Sequence, residues 1–359
     1  MDAANLSWAS APLTRIRAAQ GRKDIEEATQ LQVPVVDLAE PDEVAAQKMR
    51  SACEDYGFLY VANHGVSQQL VDEQFSASKR FFAQPLESKL ALKADRGNRG
   101  YFPFGTGSAK NPFSQEDRKE AFNAYGFETE DMDQPFHGRN KWPAEDDVPG
   151  FRSTMERYYG AMHSVAQQVL RLLALALDLP ADFFDERFSR PVANIRAVHY
   201  IAGQPSNADQ GIFGVGPHTD WGALTILATD NERGLQICVG SRWIDVDPRP
   251  GMFVVNLGDM VDRWTNGRFR STLHRVVNTS ERYSTPFFLA ANWDAELAVL
   301  PNCQVAGEPA EVAPATTCGA WLTMRRTAEY DKKRRMVEEE SAAAAPQLPI
   351  PATPQIRAQ

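Results

Sequence analysis

The residues with the clearest chemical potential are two histidines and an aspartate in the second half of the chain. His218 and Asp220 lie two positions apart in GVGPHTDWGALTILATD, and 53 residues separate Asp220 from His274 in FRSTLHRVVN. Residues i and i+2 of an extended strand point to the same side, so His218 and Asp220 can converge on one point. Two imidazoles and one carboxylate suit a ferrous ion that keeps further coordination positions for O₂ and a co-substrate. The pattern therefore predicts an iron centre at His218, Asp220 and His274.

A second polar pair follows His274 closely. Arg282 and Ser284 lie two positions apart at the start of a strand that continues as TPFFLAANW. A guanidinium can bind a carboxylate through two parallel hydrogen bonds, and a serine hydroxyl on the same strand face adds one more. The pair predicts a site for the far carboxylate of a dicarboxylic acid.

Aromatic and amide side chains near these motifs are candidates for substrate contact. They lie in the variable stretch before the long helix or beside the metal strands, and they are Tyr101, Phe102, Phe104, Phe122, Trp221, Asn292 and Trp293. Trp221 directly follows Asp220, although neighbouring residues of an extended strand point to opposite sides. Packing in the core or in a lid is the competing interpretation for each. The set favours a planar or apolar small molecule over a protein or nucleic acid.

The elements that must position these residues change character near position 190. Before it, apolar residues from Met155 to Leu173 recur at helical spacing, Ser67 suits a helix N-cap, and 92–150 resembles a long aromatic loop. After it, short β-branched runs alternate with Gly, Pro and Asn, which is typical of a double-sheet jelly roll. Asn266-Gly267 suits a tight hairpin and Pro248–Gly251 a strand break. We predict a mainly β fold with supporting helices.

The same change predicts four regions. They are an N-terminal arm (1–31), a helix-rich region packing on the core (32–190), a jelly-roll core (191–325), and a helix end with a disordered tail (326–359). A length of 359 residues suggests about two domains. One β core wrapped by N-terminal helices accounts for both halves of the chain.

Composition limits the partners. The 38 basic and 47 acidic residues give a net charge of −9, which disfavours binding to nucleic acid or to an anionic membrane. The N-terminus lacks the apolar core of a signal peptide. Four distant cysteines without a CxxC motif are typical of free thiols in a reducing compartment. These features predict a monomeric cytoplasmic protein whose partner is a small-molecule substrate.

Together these motifs resemble the non-haem iron(II), 2-oxoglutarate-dependent oxygenases, in particular the isopenicillin N synthase-like branch. The matching blocks occur in order over roughly 32–325, and they include ACEDYGFLYVANHGV, HTDWGALTILATD, VVNLGDMVDRWTNGRFRSTLHRVVN and RYSTPFF. The resemblance implies a double-stranded β-helix (jelly-roll) core. It also implies that the catalytic centre holds Fe(II) through His218, Asp220 and His274. Arg282 and Ser284 would bind the 5-carboxylate of 2-oxoglutarate, and Tyr200 would be a further co-substrate contact.

The implied reaction uses O₂ and 2-oxoglutarate, releases succinate and CO₂, and hydroxylates, desaturates or cyclises a small metabolite, as in secondary metabolism. Three features depart from the family pattern. Val198 stands where many members have Asn, and Trp221 replaces the usual Tyr or Phe. The interval from His274 to Arg282 is shorter than in many members of the family.

Alternatives remain open on the sequence alone. An oxidase of the same branch can retain Arg-x-Ser without using 2-oxoglutarate, so that motif does not exclude one. A non-catalytic jelly-roll binding module would have no need for the intact set of metal-binding residues. A metal-dependent hydrolase is disfavoured because the sequence contains no HExxH motif and no zinc-type Cys/His spacing.

Overall fold

The fold is taken from a computed structural model that describes residues 32–105, 116–130, 134–240, 242–304 and 316–328. The predicted arm at 1–31 and the predicted tail beyond residue 328 lie outside the described residues. Parts of the predicted loop at 92–150, namely 106–115 and 131–133, also lie outside them.

The described elements alternate between helices and strands in the first half and are mostly strands afterwards. The helices are α1 (Asp42–Asp55), α2 (Gln68–Phe82), α3 (Leu86–Ala91), α4 (Phe151–Ala176) and α5 (Asp259–Trp264), and residues 318–328 are also helical. The strands are β1 (Val35–Asp37), β2 (Phe58–Ala62), β3 (Gly100–Phe102), β4 (Glu116–Asp117), β5 (Glu120–Tyr125), β6 (Pro191–Tyr200), β7 (Ile212–Phe213), β8 (Val215–His218), β9 (Leu224–Thr229), β10 (Leu235–Val239), β11 (Arg242–Asp245), β12 (Phe253–Leu257), β13 (His274–Val276) and β14 (Arg282–Asn292). No helix in these ranges combines the length and apolar character that crossing a bilayer requires.

The strands form a large and a small sheet. The large sheet has the order β1-β2-β12-β9-β14-β6-β5-β3, and the small sheet has the order β11-β10-β13-β8. A short parallel pair, β4 and β7, stands beside them, and β1 and β2 are also parallel, whereas the other neighbouring strands in the two sheets are antiparallel. This two-sheet arrangement confirms the predicted jelly-roll core.

The two faces of the large sheet have different partners. One face packs on α1, α2 and α4 in a cluster that includes Met49, Phe81, Met155, Ile195 and Phe287. The other face contributes to a second cluster with the small sheet, and this cluster includes Phe58, Val198, Tyr200, Ile237 and Val276. Successive residues of a strand point to opposite faces, so a shift of one position decides which cluster a side chain joins.

Several local predictions are confirmed. Helix α2 begins after Ser67, whose hydroxyl accepts a hydrogen bond from the Leu70 amide at 3.3 Å. Helix α4 buries its predicted apolar stripe against the large sheet. The chain turns near Gly251, which has φ = 70°, between β11 and β12.

Two local predictions are wrong. The stretch 92–150 contains β3 and β5, which extend the large sheet. The sequence does not identify β5 as a strand because Glu120 and Asn123 are polar residues, although both side chains are buried in the folded protein. Asn266 and Gly267 do have positive φ angles, as a tight turn requires, but they follow the end of α5 instead of joining two strands. There the Gly267 amide donates to the Asp262 carbonyl at 2.8 Å.

A buried charged network lies on the helix-facing side of the large sheet. Glu120 accepts hydrogen bonds from Lys89 Nζ at 2.8 Å and from the Tyr101 hydroxyl at 2.6 Å. The other oxygen of Glu120 lies 2.8 Å from His199 Nδ1, and His199 Nε2 lies 2.9 Å from Glu281. Burial raises the pKa of Glu120, but its hydrogen bonds to His199, Lys89 and Tyr101 outweigh burial and leave the pKa below its usual value.

We expect Glu120→Ala to lower the free energy of unfolding by about 3–5 kcal/mol, because it leaves Lys89 buried without its anionic partner. Glu120 has a lowered pKa in the folded state, so its contribution is present above the unfolded-state pKa of about 4.3 and is lost as pH falls. The difference between variant and parent should therefore shrink in acid. Urea unfolding at neutral and acidic pH measures both effects.

Glu130→Ala is the matched control for this prediction, because Glu130 pairs with Arg139 on the surface and its side chain is 82% exposed. Glu130→Ala should lower the free energy of unfolding by no more than about 0.5 kcal/mol. Equal costs for the two variants would contradict a stabilising role for the buried network.

Candidate metal centre

Strand pairing in the small sheet brings the two histidines together. His274 on β13 lies directly opposite His218 on β8, and their ring centroids are 4.2 Å apart. Asp220 follows two residues after His218, and its Oδ1 lies 3.7 Å from His218 Nε2 and 3.8 Å from His274 Nε2. One ligand atom from each residue lies within 4.8 Å of the other two. The two distant motifs of the sequence therefore meet at one point.

Backbone carbonyls set the orientation of both imidazoles. His218 Nδ1 lies 2.8 Å from the Gly216 carbonyl, and His274 Nδ1 lies 3.0 Å from the Thr272 carbonyl. A carbonyl only accepts hydrogen bonds, so each Nδ1 carries a proton, and Nε2 is the ring nitrogen left to bind a metal ion. The Phe58 ring packs edge-on against His274 at 5.3 Å and limits its rotation.

The Asp220 carboxylate is held by its other oxygen. Oδ2 accepts hydrogen bonds from the Thr225 hydroxyl and from Asn256 Nδ2, the latter at 2.8 Å. Burial raises the pKa of Asp220, but the two histidines and these hydrogen bonds outweigh burial and lower it to about 2. Oδ1 is thus an ionised donor that faces the two Nε2 atoms. This set of one oxygen and two nitrogen donors fits Fe(II).

We expect Thr225→Val to weaken metal binding by about 10–100-fold, because it removes a hydrogen bond that orients the Asp220 carboxylate. Valine has nearly the shape of threonine, so the effect isolates the hydroxyl. Thr225→Ser is the matched control, since it keeps the hydroxyl and should bind Fe(II) as the parent does. Anaerobic titration with Fe(II) measures both affinities, and equal losses in the two variants would contradict the orienting role.

The predicted carboxylate site lies on neighbouring strands of the large sheet. Arg282 on β14 is opposite Tyr200 on β6, and Ser284 is opposite Val198, so all four share the face toward the small sheet. The Arg282 guanidinium is 1% exposed, lies 4.9 Å from the Tyr200 ring centroid, and donates through Nε to the Glu232 carbonyl at 3.3 Å. Its Nη1 has no hydrogen-bond partner within the described residues. A buried, unsatisfied guanidinium nitrogen fits an incoming carboxylate.

Tyr200 connects this site to the strand that carries His218. A Cβ on Gly214 would lie 2.8 Å from Cδ1 of the Tyr200 ring, so only glycine allows this approach. Gly214 immediately precedes β8, and its amide donates to the Val276 carbonyl on β13 at 2.9 Å. The candidate carboxylate site and the candidate metal site therefore face the same space between the sheets.

A cavity of about 180 Å³ adjoins Asp220. Its apolar walls come from Phe102, Trp221 and Phe288, together with Phe136 and Leu322. Its polar walls include side chains that the sequence analysis did not single out, namely Asn98, Asn123, Asn194, Arg196 and Arg326. The sequence could have identified Asn194 and Arg196. They lie four and two positions before Val198 in NIRAVHY, so they share its strand face with Tyr200. Arg326 carried no such signal, because the packing of 318–328 against the sheet decides its position.

The predicted substrate residues have different places. Trp221 and Phe102 line the cavity, and the partly buried Phe104 is not among the residues that line it. Tyr101 and Phe122 are buried on the opposite, helix-facing side of the large sheet. Asn292 holds the backbone by donating to the Glu186 carbonyl at 2.7 Å and accepting from the Arg190 amide at 2.7 Å. Trp293 packs edge-on against His137, with 4.8 Å between the ring centroids.

Comparison with known proteins agrees with this geometry. Residues 33–145 match the family model described as non-haem dioxygenase in morphine synthesis N-terminal, and residues 193–291 match that of the 2OG-Fe(II) oxygenase superfamily. The chain is 39% identical to azadirone synthase LFS of Melia azedarach over 75% of this chain and 84% of the relative. It is also 39% identical to the 2-oxoglutarate-Fe(II) type oxidoreductase hxnY of Emericella nidulans, over 75% and 80% of the two chains.

A solved structure shows the same fold. The crystal structure of a full-length Neurospora crassa protein in complex with alpha-KG and thymine aligns with a TM-score of 0.73 at 28% identity, covering 84% of this chain and 98% of that one. The two family models, the relatives and the His-Asp-His cluster all agree. The chain belongs to the 2-oxoglutarate-Fe(II) oxygenase family and is a 2-oxoglutarate-dependent dioxygenase, an oxidoreductase that uses Fe(II), 2-oxoglutarate and O₂.

Proposed function

We propose that this enzyme oxidises a C–H bond of a small, partly apolar or aromatic metabolite, by hydroxylation, desaturation or ring closure, with release of succinate and CO₂. The observation that carries the proposal is the cavity beside Asp220, whose aromatic walls adjoin a cluster suited to Fe(II). A cavity of about 180 Å³ can hold several water molecules, so it has room for a small organic compound. The structural relative from Neurospora crassa, whose complex contains thymine, is a precedent for a small planar ligand in this fold.

In this proposal His218, Asp220 and His274 bind Fe(II), while Arg282 and Ser284 bind the 5-carboxylate of 2-oxoglutarate. Bound Fe(II), with O₂ and 2-oxoglutarate, supplies the oxidising chemistry. The protein positions the reacting groups and excludes water from the site. Tyr200 packs along Arg282 and orients its guanidinium, and the hydrogen bonds to Asp220 Oδ2 keep Oδ1 directed at the two imidazoles.

The chain also orients the substrate toward the centre. Trp221 and Phe288 line the cavity that contains Asp220, so an apolar substrate body that displaces water there lies beside the metal ligands. Holding the reacting bond at a fixed distance and direction is the main contribution that such walls make to the rate.

Release of ¹⁴CO₂ from 1-labelled 2-oxoglutarate, measured across a library of small metabolites, tests the function. We expect a subset of compounds to raise the release well above the rate without substrate, with succinate formed in equal amount. Substrate oxidation that proceeds at full rate without 2-oxoglutarate would instead favour an oxidase. Fe(II) and 2-oxoglutarate binding without turnover of any compound would favour a binding module.

We further propose that the enzyme is a cytoplasmic monomer. Cys53, Cys238, Cys303 and Cys318 are all free thiols, which suits a reducing compartment. Large apolar side chains at the surface of the described residues are few, namely Val44, Leu86 and Leu90, which leaves little apolar area for a permanent interface there. Sedimentation at micromolar concentration tests the association state.

A further inference from the structure

Asn123 is a buried amide in the wall of the cavity beside Asp220. It lies on β5, between Gly100 of β3 and Arg196 of β6 in the large sheet, and it is 1% exposed. Successive residues of a strand point to opposite faces, so Asn123 lies on the face opposite to Glu120 and the helices. It lines the cavity together with aromatic side chains. A buried amide in such a wall lowers stability unless its hydrogen bonds are made.

The nitrogen of this amide is satisfied. Asn123 Nδ2 donates to the Asn98 carbonyl at 3.1 Å, and because a carbonyl can only accept, this contact fixes which end of the amide is nitrogen. Asn98 is itself held in a tight turn, with φ = 61° and its backbone amide donating to the Asp95 carbonyl at 3.0 Å. Rotation of the Asn123 side chain would break the hydrogen bond to Asn98, so this bond holds Oδ1 in place.

The oxygen of the amide is not satisfied. Asn123 Oδ1 is buried and has no hydrogen-bond partner among the residues that the structure describes. Neighbouring donors are directed elsewhere. Asn98 Nδ2 donates to the Tyr125 hydroxyl at 2.7 Å, and the Arg196 guanidinium carbon lies 4.9 Å from the Phe102 ring centroid. Folded proteins leave few buried acceptors unpaired, so an unpaired oxygen in a cavity wall points to a donor on a ligand.

A second unpaired polar atom belongs to Thr219, which lines the same cavity. Its Oγ1 is buried and also lacks a hydrogen-bond partner within the described ranges. Thr219 stands between His218 and Asp220, whose side chains converge on the candidate metal site. A threonine hydroxyl can donate or accept, so it can bind another polar atom of a ligand beside the metal ligands.

The chemistry of an amide oxygen limits what can bind at Asn123. The oxygen only accepts hydrogen bonds, so its partner must be an N–H or an O–H group. An ionised carboxylate, an ether or a ketone offers no proton and would leave Oδ1 unpaired. The rings of Trp221, Phe102 and Phe288 in the same lining suit the apolar body of a ligand.

We propose that Asn123 Oδ1 accepts a hydrogen bond from an N–H or O–H group of the substrate, so that this dioxygenase acts on small ring compounds that carry such a donor. This inference rests on the proposed function and specifies its substrate class. The hydrogen bond fixes one end of the substrate, and the aromatic walls contact its ring. Together they give the ring one orientation and so decide which of its carbons lies beside the metal centre.

The test compares donor compounds with their N- or O-methylated forms. The full-length enzyme is loaded with Fe(II) and 2-oxoglutarate without oxygen and titrated calorimetrically with three pairs: indole and 1-methylindole, 2-pyridone and 1-methyl-2-pyridone, and phenol and anisole. We expect at least one donor compound to bind about 5- to 150-fold more tightly than its methylated form, which corresponds to the value of about 1–3 kcal/mol for a buried acceptor that gains a partner.

Asn123→Leu separates the hydrogen bond from the bulk of the added methyl group. Leucine has nearly the size of asparagine but accepts no hydrogen bond, so the preference should fall below about twofold. A preference caused by bulk alone would survive. Asn123→Ala makes the same comparison if the leucine variant does not fold.

Gln69→Leu is the matched control, because it replaces an amide by leucine on the exposed face of α2. It should leave the preference for donor compounds intact. The affinity for 2-oxoglutarate, titrated separately, should stay at the parent value in all these variants, which shows that the site is still folded.

Donor compounds that bind no more tightly than their methylated forms, donor compounds that do not bind, or a preference that survives loss of the Asn123 amide would overturn the inference. If 2-oxoglutarate binds normally in any of these cases, the proposed function stands and only the substrate class is wrong. Failure of 2-oxoglutarate to bind the parent enzyme would overturn the proposed function and this inference with it.

Discussion

Asp220→Ala is expected to reduce substrate-dependent succinate formation to background. The substitution removes the one carboxylate of the candidate metal site and leaves His218 and His274 facing each other without an anion between them. Loss of a supporting hydrogen bond to a ligand costs about 10–100-fold in metal affinity, so loss of the ligand itself should cost more. Succinate production and anaerobic Fe(II) titration, performed on the same preparation, measure the activity and its cause.

The matched control for Asp220→Ala is Asp294→Ala. Asp294 follows β14 and has a side chain that is 74% exposed, so its loss should change neither succinate formation nor Fe(II) affinity. Thermal unfolding should be compared as well, because Asp220 also accepts two hydrogen bonds in the core. Undiminished turnover by a folded Asp220→Ala protein would refute the assignment of the metal site.

Arg282→Met is expected to raise the KM for 2-oxoglutarate by about 30- to 4,000-fold, because a buried charged partner is worth about 2–5 kcal/mol. Methionine fills much of the volume of the arginine stem but donates no hydrogen bond, so the 5-carboxylate would be buried without a cation. The affinity for Fe(II) should change little. Initial rates at varied 2-oxoglutarate, at saturating Fe(II) and substrate, measure the effect.

Arg233→Met is the matched control for the effect on KM. Arg233 pairs with Asp247 on the surface, and its side chain is 77% exposed. Its substitution should leave the KM for 2-oxoglutarate unchanged. If Arg282→Met also left it unchanged, the buried unsatisfied Nη1 would have a different purpose, and a reaction that does not use 2-oxoglutarate would become the better hypothesis.

The residues that form and support the candidate metal site come from both sheets. Thr225 on β9 and Asn256 on β12 are cross-strand partners, and both reach Asp220 from the large sheet. His218 and His274 come from the small sheet. The candidate iron site therefore depends on the packing of the two sheets against each other, so a substitution that separates the sheets should weaken metal binding even at a distance.

The sequence by itself determined the chemistry and most of the architecture. The short spacing of His218 and Asp220 keeps the two side chains close together, although β8 ends at His218 and Asp220 lies just beyond it. The alternation of short strands with turn residues determined the jelly roll, and helical spacing determined α4. These features could be predicted because they depend on local periodicity and on the intrinsic chemistry of side chains.

Only the tertiary structure decided which side chains face the cavity. Tyr101 and Phe102 are neighbours with similar rings, yet Tyr101 lies in the helix-facing cluster and Phe102 lines the cavity. The polar residues of β5 do not predict a buried strand. The partners that stabilise Glu120 in the buried state come from α3, β3 and β6, so only the folded protein brings them together. Arg326 joins the cavity only when the last helix packs on the sheet. Strand register and long-range packing set these positions, and neither is encoded in the local pattern of residues.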